Sequence, residues 1–346
     1  MCTSLAKDFR TILIVADGRG DETINGVMIK DIGTFSSRLK RITRSPKLIF
    51  AEAINFKADL YHIHDPELLP VAARLIKKGF KVIFDSHEDF PKQLLSKPYL
   101  APWKAKILSK FAEVYESLVL PKLTFLVAAT PSIREKNSRF NSCVDINNYP
   151  LLNELQSDLE VKASRNSISY VGGISTIRGI CELLNAMELI HDSRVVCKIA
   201  GRSPEKHIQR RLEACESKNV EYLGQQTRVE VKSLLEESFA GIVTFLPVPN
   251  HIDAQPNKMF EYMSAGIPVI GSRFPLWQEI IEGNACGICV DPNNPKEIAD
   301  AIIKLSNDSA LVDRMGRNGR EAVESKYNWD SEYTKLKKVY EKLIND

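Results

Sequence analysis

The sequence predicts an α/β protein built from two doubly wound parallel sheets, and three observations support that class. Short apolar runs without polar alternation are separated by longer amphipathic stretches, as expected for buried parallel strands with helices between them. This alternation occurs twice, on either side of the segment NNYPLLNE at 147–154. The 346 residues suffice for two domains with a sizeable core in each. We predict a first domain at 1–148, joined by a C-terminal helix at about 328–346, and a second domain at 149–327.

The predicted strands are apolar runs that recur along the whole chain. Those of the first domain are TILIV, KLIF, LYHIH, KVIFD and FLVAA, at 11–15, 47–50, 60–64, 81–85 and 125–129. Those of the second lie at 167–171, 195–200, 220–224, 241–245, 267–271 and 287–290. Helical patterns separate most of them, with examples at 67–79, 181–191 and 228–238. Because ligands bind beyond the carboxyl ends of such strands, we expect the polar segments there to converge on one cleft between the domains.

The composition, with 44% apolar and 26% charged residues, is that of a soluble globular protein. Apolar runs are too short to span a membrane, and the first ten residues lack the apolar core of a secretion signal. Seven scattered cysteines, with one isolated CGIC pair at 286–289, favour reduced thiols over a zinc or redox site. We therefore expect a cytoplasmic location.

The first half of the chain is basic, since residues 1–150 hold 23 Lys and Arg against 16 Asp and Glu. Within it, lysines and large apolar side chains interleave, at Lys97, Lys104, Lys106 and Lys110 and at Tyr99, Leu100, Trp103, Ile107, Leu108 and Phe111. Such a pattern suits anionic lipid headgroups, whereas solvated lysines on an ordinary surface helix are the alternative. We expect residues 97–111 to meet the inner face of the plasma membrane. Nucleic acid is not expected, because no recognition module is present.

The segment DAQPNKMFEYMSAGIPVIGS at 253–272 predicts a loop, a short helix and a buried strand. Asn257 is a suitable N-cap, and Gly266 suits the position just past the helix end. Asp253 then lies on the loop, and Glu261 lies about one turn into the helix. Because N–H groups at a helix start bind anions, the two flanking carboxylates indicate a ligand with hydroxyls and phosphates, such as a nucleotide sugar. An ordinary capped helix beside a surface loop is the alternative.

The segment YVGGISTIRGI at 170–180 follows the first strand of the second domain. Gly172 and Gly173 allow the backbone to approach a ligand closely. Arg178 follows on the same loop, where a guanidinium could clamp a diphosphate through two parallel hydrogen bonds. A tight turn with a solvated arginine is the alternative.

Histidines and carboxylates follow two neighbouring strands of the first domain, at His62, His64, Asp65, His87, Glu88 and Asp89. Imidazoles and carboxylates at this spacing could be metal ligands. The histidines could instead simply line the ends of the strands. In a third interpretation, His87 hydrogen-bonds a sugar or a phosphate.

These motifs resemble those of the retaining glycosyltransferases of family 4, also called glycosyl transferase group 1. The resemblance lies in 253–272, in YVGGISTIRG upstream and in FPLWQEIIEG and CGICVDP downstream. It implies the GT-B fold, in which two Rossmann-like domains face a cleft, with an acceptor-side first domain and a nucleotide-sugar-binding second domain. The run ADLYHIHDPELLPVAARLIKKGFKVIFDSHEDFPKQ resembles a branch that assembles bacterial surface polysaccharides.

The resemblance also implies roles for the residues of 253–272. The family carries two glutamates separated by seven residues, and here they correspond to Asp253 and Glu261. Glu261 would bind the ribose hydroxyls of the donor, and Asp253 would contact the transferred sugar. Backbone amides around Asn257, Lys258 and Met259 would meet the diphosphate. Asp253 is one methylene shorter than the family's glutamate, which alters the sugar contact and not the donor class.

Two departures from the family pattern concern the donor loop and the start of the chain. Gly173 stands where many relatives have an arginine, and Arg178 stands where they have a lysine, so Lys258 could assist Arg178. The opening SLAKDFRTILIVADG resembles the end of the family's first helix and its second strand. We therefore expect the first, central strand to be missing, either because the recorded start is late or because the copy is degraded. A well-formed central first strand would refute this expectation.

The expected activity is that of a hexosyltransferase-type glycosyltransferase in surface polysaccharide biosynthesis. A sugar would pass from a nucleoside-diphosphate donor to a hydroxyl of a glycan or polyprenyl-linked acceptor. Arg178 would stabilise the departing diphosphate, and His87 would hydrogen-bond the sugar or phosphate near the anomeric carbon. No cofactor or metal is expected beyond the nucleotide-sugar co-substrate. The alternatives are a non-catalytic nucleotide-sugar-binding protein and a metal-dependent hydrolase that uses the histidine cluster.

Overall fold

Parallel sheets form from the apolar runs in both halves of the chain, which confirms the predicted α/β class. The computed structural model describes residues 1–95, 100–152, 154–155, 165–192, 194–215 and 217–346, apart from the side chains of residues 38 and 39. Two units divide the chain, the first comprising Met1–Asn147 with Ser331–Asp346 and the second comprising Asn148–Asp330.

The first unit contains two sheets and the helices that pack on them. Its elements are α1 (Cys2–Leu5), β1 (Ile12–Val15), β2 (Glu22–Ile24), β3 (Val27–Asp31), α2 (Arg38–Phe56), β4 (Tyr61–His64), α3 (Leu69–Lys77), β5 (Val82–Ser86), α4 (Phe90–Leu95), α5 (Pro102–Val119), β6 (Phe125–Ala128), α6 (Pro131–Asn137) and β7 (Cys143–Asp145). The larger sheet is parallel throughout, in the order β4-β5-β6-β7. Its register places His64 opposite Asp85, so the polar ends of β4 and β5 are side by side.

The smaller sheet has the order β1-β3-β2, with β1 parallel and β2 antiparallel to β3. Among the described residues, no strand connects β1 with β4, and β1 is an edge strand with half-exposed side chains. A central first strand, which would have refuted our expectation, is not found among the described residues. That this strand is missing stays a prediction.

The prediction of a strand at 47–50 is wrong, because these residues lie inside α2. Ile49 and Phe50 pack on the core of the first unit together with Ile54, at the spacing of one helix face. The Ser37 hydroxyl accepts a hydrogen bond from the Lys40 N–H and caps the helix start. A four-residue apolar run cannot by itself distinguish a strand from one turn of a buried helix face. The strands β2, β3 and β7 were not predicted, because they are short and only partly apolar.

The second unit contains one sheet with six parallel strands. Its elements are β8 (Ser167–Val171), α7 (Ile180–Glu188), β9 (Val196–Ala200), α8 (Lys206–Glu213), β10 (Val220–Gly224), α9 (Arg228–Glu236), β11 (Ser238–Val243), α10 (Asn257–Ser264), β12 (Val269–Ser272), α11 (Pro275–Ile281), β13 (Gly287–Val290), α12 (Pro295–Ser306) and α13 (Ser309–Ser325). The last helix, α14 (Trp329–Asn345), returns the chain to the first unit. Each strand predicted in the second half is present.

Alternate residues of these strands enter two hydrophobic cores, one on each face of the sheet. Ile168 and Tyr170 of β8 lie in the core beneath α7 and α12, whereas Val171 lies in the core beneath α10 and α11. This double coverage explains why the strands are continuous apolar runs.

Candidate functional site

The strand order of the second unit, β10-β9-β8-β11-β12-β13, reverses between β8 and β11. From β8 the chain proceeds to one edge of the sheet, and from β11 it proceeds to the other. The loops after two such strands diverge and leave a crevice at their carboxyl ends, which is the usual ligand site of doubly wound sheets. The predicted donor motifs follow β8 and β11, so the sheet brings them to this point.

The turn after β8 is shaped by its two glycines. Gly172 has a φ of +107°, a conformation that favours glycine. A Cβ added to Gly173 would overlap the guanidinium of Arg178. Arg178 Nη1 donates to the Gly173 carbonyl at 3.0 Å, and Tyr170 Oη donates to the same oxygen at 3.1 Å. Arg178 therefore packs on the turn.

Gly179 places Arg178 beside the end of β11. It has a φ of +75°, and a Cβ there would overlap the Thr244 carbonyl oxygen. The guanidinium carbon of Arg178 lies 5.5 Å from the ring centroid of Phe245, the next residue after Thr244. Only a glycine permits this close approach between the arginine loop and the loop after β11.

Lys258, in the first turn of α10, carries a buried amino group. The residue is 7% exposed, and Nζ makes no hydrogen bond in the described part of the chain. Nζ lies 3.7 Å from the ring centroid of Tyr170 and 5.5 Å from that of Phe245. Burial lowers the pKa of Lys258 well below its usual range, and the charge of Arg178 lowers it further. The site thus holds the Arg178 guanidinium beside a buried lysine, whose charged form is disfavoured until an anion binds.

The Glu261 carboxylate is hydrogen-bonded by Arg228, a residue that the sequence motifs did not indicate. Its Oε1 accepts from Arg228 Nη1 at 2.9 Å, and Arg228 Nε donates to Glu154 Oε1 at 2.9 Å. The hydrogen bond to Glu154 and the charge of Glu261 raise the pKa of Arg228. Arg228 begins α9, more than thirty residues before Glu261, and no local pattern in the sequence links the two.

The helix start differs from the prediction, because Pro256 is the N-cap and Asn257 is the first residue of α10. No side chain caps this end. Met259 is fully buried, and its N–H donates to the Pro256 carbonyl at 3.0 Å, so this amide is already engaged. The restricted φ of a proline suits the extended backbone at this N-cap. Asp253 lies partly buried in the turn before the helix.

The loop and the helix are fixed by buried aromatic residues. Trp277 Nε1 donates to the Ala254 carbonyl at 2.6 Å. Tyr262 Oη accepts from the Val171 N–H at 3.0 Å, and its ring fills the space that Gly241 leaves. These contacts attach α10 to β8 and β11, and thereby position Lys258.

In the first unit, three histidines and one carboxylate come together at the ends of β4 and β5. Asp85 Oδ2 lies 3.5 Å from His62 Nε2, 3.3 Å from His64 Nδ1 and 3.5 Å from His87 Nε2. Burial raises the pKa of Asp85, but the neighbouring His62 and His64 rings outweigh it and bring the pKa below its usual range. Burial lowers the pKa of His62.

The other polar residues of this segment lie apart from the cluster. Asp89 Oδ1 accepts from Lys136 Nζ at 2.9 Å, and the same ammonium contacts Glu116. Glu88 accepts a hydrogen bond from Gln93. Asp65 has a φ of +69°, which is unusual for a residue other than glycine.

The basic segment predicted at 97–111 lies largely on α5. Residues 96–99, and with them Lys97 and Tyr99, are outside the described residues. Large apolar side chains are exposed along α5, at Trp103, Ile107, Leu108, Phe111, Val114 and Leu118. Lys104, Lys106 and Lys110 are exposed on the same helix. Among the described helices, none has both the length and the apolar character needed to cross a bilayer.

The sequence of the second unit is similar to known glycosyltransferases. Residues 153–322 match the family model described as Glycosyl transferases group 1. Over 184 residues the chain is 25% identical to the capsular polysaccharide biosynthesis glycosyltransferase CapM of Staphylococcus aureus, with 52% of this chain and 47% of CapM aligned. The chain spans about half the length of the first curated relatives that it matches.

Solved structures resemble nearly the whole chain. Sucrose-phosphate synthase from Thermosynechococcus elongatus gives a TM-score of 0.78 at 17% identity, covering 99% of this chain and 91% of that one. HepE of Anabaena, in complex with UDP and glucose, gives a TM-score of 0.73 at 13% identity, with 98% and 94% covered. The fold is therefore that of the GT-B glycosyltransferases, and residues 153–322 are similar to the group 1 glycosyl transferases.

Proposed function

We propose that the protein is a retaining glycosyltransferase of family 4 that moves a sugar from a nucleoside-diphosphate donor to a hydroxyl acceptor. The observation that carries the proposal is the pair of basic side chains at the turn after β8, Arg178 on the loop and Lys258 reaching it from α10. Burial disfavours the charged form of Lys258, and a diphosphate beside Lys258 and Arg178 would stabilise that form. The pair also replaces the cation that relatives carry at the position of Gly173.

The two carboxylates would bind the hydroxyls of the donor. Arg228 holds one oxygen of Glu261, so the orientation of the carboxylate toward a ribose is set before the donor arrives. Asp253, on the loop that Trp277 anchors, would contact the transferred sugar. The amides of Asn257 and Lys258 at the start of α10 would face the diphosphate, whereas that of Met259 is already engaged with Pro256.

The chemistry needs no nucleophile from the protein. The bond between the anomeric carbon and the diphosphate oxygen breaks while the acceptor oxygen bonds to the same face of the sugar. The leaving phosphate takes the proton of the acceptor hydroxyl. Arg178 and Lys258 stabilise the charge that develops on the diphosphate, so we expect no metal ion at this site. His87 would hydrogen-bond the donor near the anomeric carbon, and Asp253 and Glu261 are not a glycosidase pair.

The relatives support particular substrates to test. The HepE complex contains UDP and glucose, which makes a UDP-sugar the first donor to try. CapM acts in capsular polysaccharide biosynthesis, which supports a glycan or polyprenyl-linked acceptor in surface polysaccharide assembly, and with it a cytoplasmic location.

Nucleotide binding is the first test. Thermal unfolding is measured with UDP, GDP, ADP and CMP, each in the presence of Mg²⁺ and of EDTA. We expect one diphosphate at a hundred times its Kd to stabilise the protein by about 2.7 kcal/mol without metal. The corresponding UDP-sugar or other donor is then incubated with acceptor extracts, and product is followed by mass spectrometry. Absence of any shift in a cooperatively unfolding protein would contradict the donor site, and binding without turnover would support a non-catalytic binding protein instead.

We propose further that α5 rests on an anionic membrane surface. Trp103, Ile107, Phe111, Val114 and Leu118 recur at three- and four-residue spacing and form one exposed apolar stripe with lysines beside it. Burial of this stripe among lipid headgroups would bring the first unit to a lipid-linked acceptor.

Vesicle binding tests the role of α5. Replacing Trp103 and Phe111 together with serine should weaken binding to vesicles of phosphatidylglycerol and phosphatidylcholine by about tenfold to a hundredfold, because two large apolar contacts are lost. Val229, an exposed apolar residue on α9, provides the matched control as Val229→Ser. Co-sedimentation at low and high salt measures the effect. If the protein bound neutral vesicles as well as anionic ones, or if the double substitution had no effect, α5 would be an ordinary surface helix.

A further inference from the structure

We propose that His62, His64 and Asp85 form a binding site for a transition-metal dication of the Zn²⁺ type, with His87 as the fourth ligand. The site uses residues of the first unit only. His87 would bind the ion through Nε2, and its Nδ1 would be the atom that hydrogen-bonds the donor. It supplies three imidazole nitrogens and one carboxylate oxygen. Mg²⁺ and Ca²⁺ prefer oxygen ligands, whereas Zn²⁺, Co²⁺ and Ni²⁺ accept imidazole readily.

Strand geometry brings the ligands together. His62 and His64 are two residues apart on β4 and share a face of the sheet, with ring centroids 4.6 Å apart. β5 lies beside β4 with Asp85 opposite His64. His87 follows the end of β5, and its ring stacks on that of His64 at 5.2 Å.

The distances between the donor atoms fit a tetrahedral ion. Candidate ligand atoms of His62, His64 and Asp85 all lie within 4.8 Å of one another. Asp85 Oδ2 lies 3.3 Å from His64 Nδ1 and 3.5 Å from each of the other two ring nitrogens. Bonds of about 2.1 Å in a tetrahedron place ligand atoms about 3.4 Å apart. His64 Nδ1 and His87 Nε2, at 2.9 Å, must separate slightly to admit an ion.

Two buried atoms in the cluster have no hydrogen-bond partner in the described part of the chain. They are His62 Nε2 and Asp85 Oδ1, and their side chains are 8% and 2% exposed. The 3.5 Å between His62 Nε2 and Asp85 Oδ2 is longer than a good hydrogen bond. A buried polar group without a hydrogen bond is unfavourable. Two such groups side by side therefore indicate that the cluster binds a further ligand. A dication bound by Asp85 Oδ2 would give His62 Nε2 the partner that it lacks.

A buried tyrosine orients the deepest ligand. Tyr340 Oη on α14 lies 2.6 Å from His62 Nδ1, and the residue is 8% exposed. When the other ring nitrogen, Nε2, binds a metal, Nδ1 carries the proton and donates it to this hydroxyl. Metal-binding histidines usually have such a partner, which selects the tautomer and the ring direction. His64 and His87, each 34% exposed, leave a route for the ion to enter.

Metal titration of the intact, tag-free protein tests the proposal. After removal of metal with EDTA and dialysis, Zn²⁺ binding is measured by calorimetry, and Co²⁺ binding by its visible absorption. We expect one equivalent of Zn²⁺ and the intense Co²⁺ absorption of a four-coordinate site. His64→Ala should weaken Zn²⁺ binding by more than about a hundredfold, and Tyr340→Phe by about tenfold to a hundredfold.

The control is His207→Ala, which removes a histidine that is 72% exposed on α8 of the second unit and should leave binding unchanged. Thermal unfolding of each variant establishes that it is folded. The proposal is overturned if folded wild type binds Zn²⁺ no more tightly than His64→Ala, or if the Co²⁺ spectrum is that of a six-coordinate ion. These measurements do not require transferase activity, so they stand apart from the proposed function.

Discussion

Replacing Arg178 with alanine should lower kcat for sugar transfer by about a hundredfold to a thousandfold, the usual effect of losing one strong contact to a developing charge. The guanidinium sits on the Gly172–Gly173 turn, where a diphosphate would leave. The backbone of the turn should survive, because Tyr170 also donates to the Gly173 carbonyl. Steady-state kinetics with the donor identified by thermal unfolding measures the effect.

Arg210→Ala is the matched control, since Arg210 is an exposed arginine on α8 and should leave kcat unchanged. Arg178→Lys keeps one positive charge but loses the fork of donors, so we expect it to recover only part of the rate. If Arg178→Ala kept full activity, Arg178 would have no role in the reaction. An equal loss in both alanine variants would indicate damage to the fold rather than to the site.

Replacing Lys258 with methionine should stabilise the nucleotide-free protein while weakening diphosphate binding. Met fills a similar volume without burying an unpaired polar nitrogen, so we expect a gain of about 1–3 kcal/mol in the free energy of unfolding. A charged hydrogen bond to the diphosphate is lost, which should raise the Kd about tenfold to a hundredfold. Chemical denaturation and calorimetry measure the two effects. Lys304→Met, on an exposed face of α12, should change both very little.

The stabilisation by Lys258→Met should also depend on pH. Burial lowers the pKa of Lys258 in the folded protein, whereas the unfolded chain keeps this proton up to about pH 10.4. The unfolded state therefore binds more protons between the two pKa values, and the stability of the wild type should rise with pH through that interval. The difference between Lys258→Met and wild type should shrink correspondingly as the pH rises toward about 10.4. A difference that does not depend on pH would contradict the lowered pKa of Lys258 in the folded protein.

The strands of the second unit could be predicted because buried parallel strands are continuous apolar runs bounded by polar loops. IPVIG and SISYV are such runs, and both proved to be fully buried strands. The first unit was less predictable. KLIF at 47–50 has the same appearance, but Pro46, Ile49 and Phe50 belong to a helix whose face packs on the core. A short apolar run indicates that its residues are buried, but it does not show whether they form a strand or a helix.

One part of the candidate site could likewise be predicted from the sequence, and another part could not. Gly172, Gly173 and Arg178 lie close together in the chain, so their turn and its cation were visible in the sequence. The pairing of Glu261 with Arg228 was not, because the two residues are 33 positions apart and meet only when α9 and α10 pack on the sheet.

The sequence by itself determined the α/β class, the strands of the second unit and the local motifs, since each depends on neighbouring residues. Only the tertiary structure decided that Lys258 is buried against Tyr170 and that three histidines surround Asp85. Those environments arise from strand order and register, which join residues far apart in the chain. Burial then changes the energetics of the charged groups, and no local pattern reports how deeply a side chain will lie.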